Sequence, residues 1–176
     1  MENGTHVHRP GCGHAAEKAI LPPLATGVFL EPQIAPKKRP TFEHVYMRFA
    51  FDLAARSNCL RLSVGCVIVS PDYSRVYGIG YNGNAKGLAN TCETTEPGNC
   101  GCLHAEDNAL LKVSEPPETP KIVFVTHQPC AYCAKRMVNK GGIRKVYYSG
   151  PYRIRRGLEI LGEVGIAVQQ IPPGTF

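Results

Sequence analysis

Two short motifs constrain the fold of this chain more than any other feature, because they supply ligands that must meet at one point. His104-Ala105-Glu106 carries an imidazole and a carboxylate, and Pro129-Cys130-Ala131-Tyr132-Cys133 carries two thiols. His104, Cys130 and Cys133 form a nitrogen and sulfur donor set typical of zinc, with one coordination position left open. Any fold of this chain must therefore bring the two motifs together.

Glu106 lies two residues after the histidine and is not needed as a ligand. A water molecule in the open position of a zinc ion loses a proton near neutral pH, and we interpret Glu106 as the group that moves this proton. The order H-x-E, then P-C-x-x-C, is typical of zinc enzymes that deaminate nucleobases. The alternative is a closed structural zinc site, which gives Glu106 no role.

The composition indicates one folded domain and no membrane span. The chain has 176 residues, 43% of them hydrophobic, with no apolar run long enough to cross a bilayer. The N-terminus lacks the apolar segment of a secretory signal, so we expect a cytoplasmic protein. Eight cysteines in such a chain favour metal binding over disulfides. The net charge of +6 suits an anionic substrate or nucleic acid, although the signal is modest.

Prolines divide the chain into an arm and a folded domain. Six of them forbid any long helix in residues 1–40, which predicts a Pro-rich N-terminal arm before a domain over residues 41–176. The arm also holds a cluster of candidate ligands, His6, His8, Cys12 and His14. This cluster is either an extra metal site or a set of incidental residues in a flexible terminus.

The pattern after residue 40 predicts an α/β fold, a mixed sheet of about five strands with helices on both faces. Apolar residues at helical spacing, with Thr41 as the N-cap, predict a first helix. The apolar strand over residues 121–126 is expected at the sheet centre, and the last three strands are expected to be parallel. We predict helices over 42–58, 104–113, 130–139 and 155–164, and strands over 64–70, 75–81, 121–126, 143–149 and 166–171.

Four cysteines remain once Cys130 and Cys133 are assigned to the first site. They are Cys59, Cys92, Cys100 and Cys102, and the last three lie in a loop over residues 88–103 that has few apolar residues. Four thiolates make a closed tetrahedral zinc site that can order such a loop, which predicts a second, structural zinc. The alternative is four reduced cysteines without metal.

Candidate substrate ligands lie outside the two motifs. Gly80-Tyr81-Asn82-Gly83 forms either a plain turn or a wall of a substrate pocket, in which Asn82 would donate to a sugar hydroxyl. Asn108 is a further candidate. An arginine fork suits a phosphate, although each arginine could equally be an ordinary surface residue. The candidates are Arg56, Arg61, Arg153, Arg155 and Arg156.

On several stretches the chain resembles the cytidine deaminase superfamily, and within it the deoxycytidylate deaminase branch. The likeness covers roughly residues 42–171. It rests on RSNC at 56–59, VG at 64–65, GYNG at 80–83, HAEDNA at 104–109, PCAYCAK at 129–135 and GI at 142–143. Two residues depart from the usual pattern: Ala85 stands where the family often has proline, and Cys66 where it often has alanine.

The resemblance implies a three-layer deaminase fold, zinc on His104, Cys130 and Cys133, and Glu106 as a proton shuttle. It implies that Asn82 binds deoxyribose and that dCMP, a small-molecule nucleotide, is converted to dUMP in nucleotide metabolism. It also implies a homo-oligomer, often a hexamer, and regulation by dCTP and dTTP bound with Mg²⁺ beside the glycine loop. Some members carry a second zinc that joins the end of the first helix to the loop before H-A-E.

Three other functions use the same motifs. A deaminase acting on a base in RNA or single-stranded DNA would use the basic charge. Tyr147, Tyr148 and Tyr152 lie close together, but no aromatic platform is interleaved with basic residues, so we do not expect nucleic acid as a partner. The second is a deaminase of another free base or nucleoside, such as cytosine or guanine. The third is a zinc-stabilised binding module without catalysis, against which the intact Glu106 argues.

Overall fold

The computed structural model describes residues 39–94 and 100–175. The predicted arm up to residue 38, with its His6, His8, Cys12 and His14 cluster, lies outside the described residues. Within the described part, every helix is too short or too polar to cross a membrane.

Four helices and five strands make up the described residues, in the predicted order. They are α1 (Phe42–Ala54), β1 (Gly65–Val69), β2 (Val76–Tyr81), α2 (Ala105–Leu110), β3 (Lys121–His127), α3 (Ala131–Lys140), β4 (Ile143–Gly150), α4 (Arg156–Glu163) and β5 (Ala167–Gln170).

The predicted end of the first helix, at residue 58, was wrong. Thr41 caps α1 as expected, with its side chain accepting from the His44 N–H, but the helix ends at Ala54. The N–H groups of Arg56 and Ser57 bond three residues back, which tightens the last turn. Residues 55–58 carry no large apolar side chain to pack on the core, so nothing extends the helix toward Cys59. The second helix, α2, is also shorter than predicted.

The strands form one mixed sheet in the order β2-β1-β3-β4-β5. β1 pairs antiparallel with both β2 and β3, whereas β3, β4 and β5 are parallel. β3 lies at the centre, and its first six residues are buried. The expectations of a mixed five-strand sheet, a central third strand and parallel final strands are therefore confirmed.

Helices cover both faces of the sheet, as expected for a three-layer α/β fold. On one face α1 packs Met47 and Ala50 against Val67 and Phe124, and Phe124 stacks on Tyr147 with ring centroids 4.9 Å apart. The other face buries apolar residues of α2, α3 and α4 against the same strands. Each layer thus removes apolar surface from water on one side of the central strands.

Close backbone packing sets the position of the second motif. A Cβ added at Gly157, in the first turn of α4, would lie 2.0 Å from the Pro129 carbonyl oxygen and 2.9 Å from the Cys130 carbonyl carbon. Only glycine permits α4 to approach this segment so closely. The segment directly precedes α3, so α4 fixes where α3 begins.

We predict that Gly157→Ala lowers the free energy of unfolding by about 1–3 kcal/mol, the usual cost of forcing extra atoms into a packed interior. The obstructing atoms are backbone, so they cannot move aside as a flexible side chain would. Urea denaturation followed by circular dichroism measures the change.

Gly162→Ala is the matched control, because Gly162 lies in the same helix with no neighbouring atom within 4 Å of an added Cβ. This variant should be as stable as the parent or up to about 1 kcal/mol more stable, since alanine favours helix over glycine. Equal stability of the two variants would contradict the described packing of α4.

Candidate active site

The two motifs meet because each begins a helix at the same edge of the sheet. His104 is the N-cap of α2 and Cys130 is the N-cap of α3, both with extended backbone dihedrals. Cys133 lies in the first turn of α3, and its backbone N–H donates to the Cys130 thiol over 3.5 Å. The positive end of the α3 dipole and this hydrogen bond both favour a thiolate at Cys130.

The three donor atoms lie at distances that fit one zinc ion. His104 Nδ1 is 3.2 Å from Cys133 Sγ and 3.6 Å from Cys130 Sγ. A tetrahedral zinc with ordinary bond lengths places nitrogen and sulfur ligands about 3.5 Å apart. All three donors lie within 4.8 Å of one another. The residues therefore fit the metal, and the structure identifies Nδ1 as the histidine ligand atom.

The electrostatics favour the metal-binding form of Cys130, whereas the contact with Cys130 raises the pKa of His104 to about 9, so a bound zinc ion must displace a proton from that imidazole. The pKa of the Cys130 thiol is lowered to about 4, chiefly by its hydrogen bond with the Cys133 thiol and also by His104. Cys130 is therefore ionised at neutral pH, which is the form that binds zinc.

Glu106 lines the same cavity as His104 and Cys130 but lies outside the group of converging donor atoms. Its residue is only 4% exposed, and this burial raises the pKa of its carboxyl group to about 7. A carboxyl group with such a pKa can both accept and release a proton near neutral pH. This position agrees with a proton-transfer role rather than a ligand role.

The cavity beside the donors has a volume of about 310 Å³, within the range of small-molecule sites. Of the predicted substrate ligands, Asn82, Arg61 and Arg153 line it. The Asn82 amide is already engaged, because Oδ1 accepts from the Val64 N–H (2.7 Å) and Nδ2 donates to the Leu62 carbonyl (2.8 Å). Asn82 therefore builds the cavity wall, with one Nδ2 hydrogen left for a ligand.

Two polar candidates next to this wall support it from behind. Asn108 Nδ2 donates to the Tyr81 carbonyl over 2.9 Å, which ties α2 to the end of β2. Gly83 exchanges two backbone hydrogen bonds with Leu103, the residue before the histidine ligand. Neither residue lines the cavity. These contacts hold residues 80–83 next to His104.

The other arginine candidates lie away from the cavity. Arg156 is half-exposed and pairs with Glu159 and Glu163 on the surface of α4. Arg155 precedes α4 and is exposed. The Arg56 guanidinium lies 5.8 Å from the centroid of the Tyr81 ring. Arg61 and Arg153 are thus the two phosphate candidates that the structure brings to the cavity.

Among the cavity-lining residues that sequence reasoning did not assign to the site, four follow or end the parallel strands: His127, Gln128, Pro151 and Tyr152. His127 ends β3 and Gln128 follows it, and Pro151 and Tyr152 follow the end of β4. Ligand sites of α/β sheets form beyond the carboxyl ends of parallel strands, so the predicted strand order contained the signal. It would have indicated these positions, though not which of them face the cavity.

An ion pair joins the two ligand helices. Arg136 Nε on α3 lies 2.7 Å from Asp107 Oδ1 on α2, and the Asp107 side chain is buried. Asp107 directly follows Glu106, and Arg136 lies one turn after Cys133. The pair therefore holds α2 and α3 together close to the donor atoms, a link that the sequence did not predict.

The four remaining cysteines also converge. Cys59 Sγ lies 3.8 Å from Cys100 Sγ and 3.7 Å from Cys92 Sγ, which is 3.7 Å from Cys102 Sγ. Disulfide sulfurs lie about 2.0 Å apart, whereas thiolates around one tetrahedral zinc lie about 3.8 Å apart. The spacing fits a shared metal. Three members of this four-thiol cluster, all but Cys92, also line the cavity.

Comparison with known proteins agrees with this geometry. Residues 40–150 match the family described as the cytidine and deoxycytidylate deaminase zinc-binding region. Deoxycytidylate deaminase of Saccharomyces cerevisiae is 36% identical over 152 residues, which cover 80% of this chain and 48% of that protein. Deoxycytidylate deaminase of Mycobacterium phage D29 is 33% identical over 125 residues, covering 62% of this chain and 95% of that protein.

Among solved structures, the dCMP deaminase of cyanophage S-TIM5 in complex with dCMP and dUMP superimposes with a TM-score of 0.68 at 34% identity. The match covers 76% of this chain and 99% of the cyanophage chain. This chain spans about half the length of the yeast relative. The matched residues 40–150 contain both motifs and the four-thiol cluster, and they show that the chain belongs to the family of cytidine and deoxycytidylate deaminases.

Proposed function

We propose that this chain catalyses the zinc-dependent hydrolytic deamination of dCMP to dUMP. The observation that carries the proposal is the buried Glu106 carboxyl group beside a three-donor zinc centre, in a cavity that also holds two arginines. The cyanophage relative, whose structure contains dCMP and dUMP, supports this substrate.

His104, Cys130 and Cys133 would hold the zinc ion, which would supply an acidified water molecule as a nucleophile near neutral pH. Glu106 would take a proton from the attacking water and deliver it to N3 of the pyrimidine ring. It then carries the second water proton to the departing amine. The C4–O bond forms, the C4–N bond breaks and ammonia leaves. One carboxyl group performs both transfers because its pKa of about 7 lets it exchange protons freely.

The remainder of the cavity binds the nucleotide. Arg61 and Arg153 supply the positive charge that a 5′-phosphate requires, and a guanidinium can form two parallel hydrogen bonds with it. Asn82 and the backbone it holds form the wall at which the sugar would lie. Binding of the phosphate would orient the pyrimidine amine toward Glu106, which is how remote contacts raise the rate of reaction.

The four-thiol cluster is proposed as a second zinc site with a structural role. Cys59, Cys92, Cys100 and Cys102 would fill all four positions of a tetrahedral zinc ion, which would leave no position for catalysis. The site would tie the end of α1 to the loop before His104. Because three of its cysteines line the cavity, it would also shape the substrate pocket.

Two expectations from the family resemblance stay predictions, a homo-oligomer such as a hexamer and a regulatory nucleotide bound with Mg²⁺, and so does the cytoplasmic location expected from the N-terminal sequence. The described residues carry no contact that bears on them.

We predict that Glu106→Gln reduces kcat for dCMP by about 10²–10⁴-fold, the usual contribution of a general acid–base group. Glutamine keeps the shape of the side chain but cannot take up a proton. The zinc content, measured by inductively coupled plasma mass spectrometry, should equal that of the parent, because Glu106 is not one of the donors. Exposed Glu118→Gln is the control and should leave both values unchanged. Parental turnover by a zinc-loaded Glu106→Gln enzyme would contradict the mechanism.

We predict that dCMP is deaminated with a much higher kcat/KM than deoxycytidine or CMP, and that a short oligonucleotide does not react. Ultraviolet absorbance follows all four substrates. Arg153→Ala should lower kcat/KM for dCMP by about tenfold or more, since hydrogen bonds to charged groups contribute about 1.5–3 kcal/mol.

Arg156→Ala is the matched control, because its guanidinium pairs with surface glutamates instead. It should behave as the parent does. If the oligonucleotide reacted as fast as dCMP, a nucleic-acid deaminase would replace the nucleotide enzyme. If kcat/KM for deoxycytidine equalled that for dCMP, the arginines of the cavity would not contribute to binding of a 5′-phosphate.

We predict that Cys92→Ser removes about one zinc per chain relative to the parent, whereas Cys66→Ala removes none. Cys92 belongs to the four-thiol cluster, whereas Cys66 is buried in the core and belongs to neither group of donor atoms. Comparing the two variants cancels any metal bound by the N-terminal histidines. The same zinc content in both variants would argue for four reduced cysteines. Cys92→Ser should also unfold at lower temperature, because metal binding contributes to folding.

A further inference from the structure

We propose that His127 is a further substrate-binding residue, whose Nε2–H donates a hydrogen bond to an oxygen of the substrate's 5′-phosphate. The inference rests on the proposed function, since it assigns a ligand role within that nucleotide site. His127 belongs to neither sequence motif, but it lines the cavity.

His127 occupies a position where two strands deliver side chains to the cavity. It is the last residue of β3 and pairs with Gly150, the last residue of the parallel neighbour β4. The Cys130 ligand follows three residues after His127, and Arg153 follows three residues after Gly150. His127 therefore lies between the catalytic end of the cavity and the segment that carries a candidate phosphate ligand.

A hydrogen-bond chain fixes which ring nitrogen of His127 carries the hydrogen. The Gly65 N–H donates to the Thr126 hydroxyl over 3.2 Å, and this hydroxyl lies 3.2 Å from His127 Nδ1. Thr126 is fully buried, so its hydroxyl hydrogen needs an acceptor inside the protein. Among residues 39–94 and 100–175, His127 Nδ1 is the atom placed to accept it. If Nδ1 carried a hydrogen itself, the buried hydroxyl hydrogen would lose its acceptor. The neutral ring thus carries its hydrogen on Nε2.

Gly150 gives this ring the space it occupies. A Cβ at position 150 would lie 2.7 Å from His127 Cδ2 and 2.9 Å from Nε2, closer than side-chain atoms approach one another. The edge of the imidazole is therefore packed on the backbone of β4. Burial lowers the pKa of His127, so the ring remains a neutral donor at physiological pH.

The Nε2–H group of His127 has no hydrogen-bond partner among the residues that the structure describes. The ring is half-buried and lines the cavity. A donor held in one orientation in a cavity is costly to leave unpaired when a ligand excludes water, so the ligand must offer an acceptor there.

The phosphate oxygens and the pyrimidine O2 both meet this requirement, because they accept hydrogen bonds without donating one, whereas a sugar hydroxyl also needs an acceptor of its own. The arginines that line the same cavity favour the anionic phosphate at this position. Gln128 ties the adjacent segment into a single frame, because its backbone N–H donates to Gly150 O (2.9 Å) and its Nε2 donates to Ile154 O (3.0 Å). Arg153 directly precedes Ile154 and lines the same cavity as His127, so both side chains are available to an anionic group bound there.

The kinetic test compares full-length parent, His127→Leu and His127→Gln with dCMP and with deoxycytidine. For dCMP, His127→Leu should raise KM by about tenfold or more and change kcat by less than about threefold, as loss of one hydrogen bond to a charged group predicts. His127→Gln places an amide N–H near the position of Nε2 and should restore most of the affinity. Turnover of deoxycytidine, which lacks the phosphate, should be equal in all three proteins.

The second test observes the ring directly, by nuclear magnetic resonance of ¹⁵N-histidine-labelled protein with inorganic phosphate and dUMP as probes. The His127 signals should show the Nε2–H tautomer, and Nε2 should shift on addition of either probe. Thr126→Ser keeps the hydroxyl and should keep this tautomer. Thr126→Val removes the hydroxyl and should give a mixture of both tautomers.

Several results would overturn the inference. One is an equal loss with dCMP and deoxycytidine in His127→Leu, which would mean that the residue only shapes the cavity. A second is a KM for dCMP in His127→Leu that equals that of the parent. A third is that neither inorganic phosphate nor dUMP shifts the His127 signals. If the parent enzyme did not deaminate dCMP, the proposed function would fail, and the phosphate-induced shift of His127 would still decide the inference separately.

Discussion

The structure depends on the approach of two helix N-termini, those of α2 and α3, to within ligand distance of each other. The positive ends of two helix dipoles repel, so such an arrangement needs negative charge between them. Here the ionised Cys130 thiol and the Asp107 carboxylate supply it. The Arg136–Asp107 ion pair then links the helices on their outer side. The charges that chemistry needs at this site are also those that hold its helices together.

The sheet positions these helices through backbone contacts that leave no room for side chains. A Cβ at Gly78 or Gly80 of β2 would lie 2.5 Å or 2.2 Å from a carbonyl oxygen of α2, and Gly157 allows the same closeness between α4 and Pro129. Backbone contacts of this kind cannot relax as flexible side chains do. They hold the helices rigidly, which a metal site with one open position requires.

Several residues that line the cavity also make structural contacts. Cys59, Cys100 and Cys102 line it while forming the four-thiol cluster, and Asn82 lines it while holding the backbone of residues 62–64. Ordering of residues 100–103 before α2 and formation of the cavity therefore depend on the same contacts. A change that loosens the cluster would alter the cavity as well as the fold.

The sequence by itself determined which residues converge as donors, that Glu106 lies beside them, and the order of strands and helices. These features depend on residue types at fixed spacing and on local apolar patterns, which are legible without a fold. It placed the end of α1 four residues too far, because tertiary packing ends a helix where its apolar face stops. Only the tertiary structure separated Arg153, in the cavity, from Arg156, paired with surface glutamates. Only the register of β3 against β4 brought His127 onto Gly150 and into the site. Which side chains share a cavity depends on strand pairing and on the path of loops, and both arise from contacts between residues far apart in the chain.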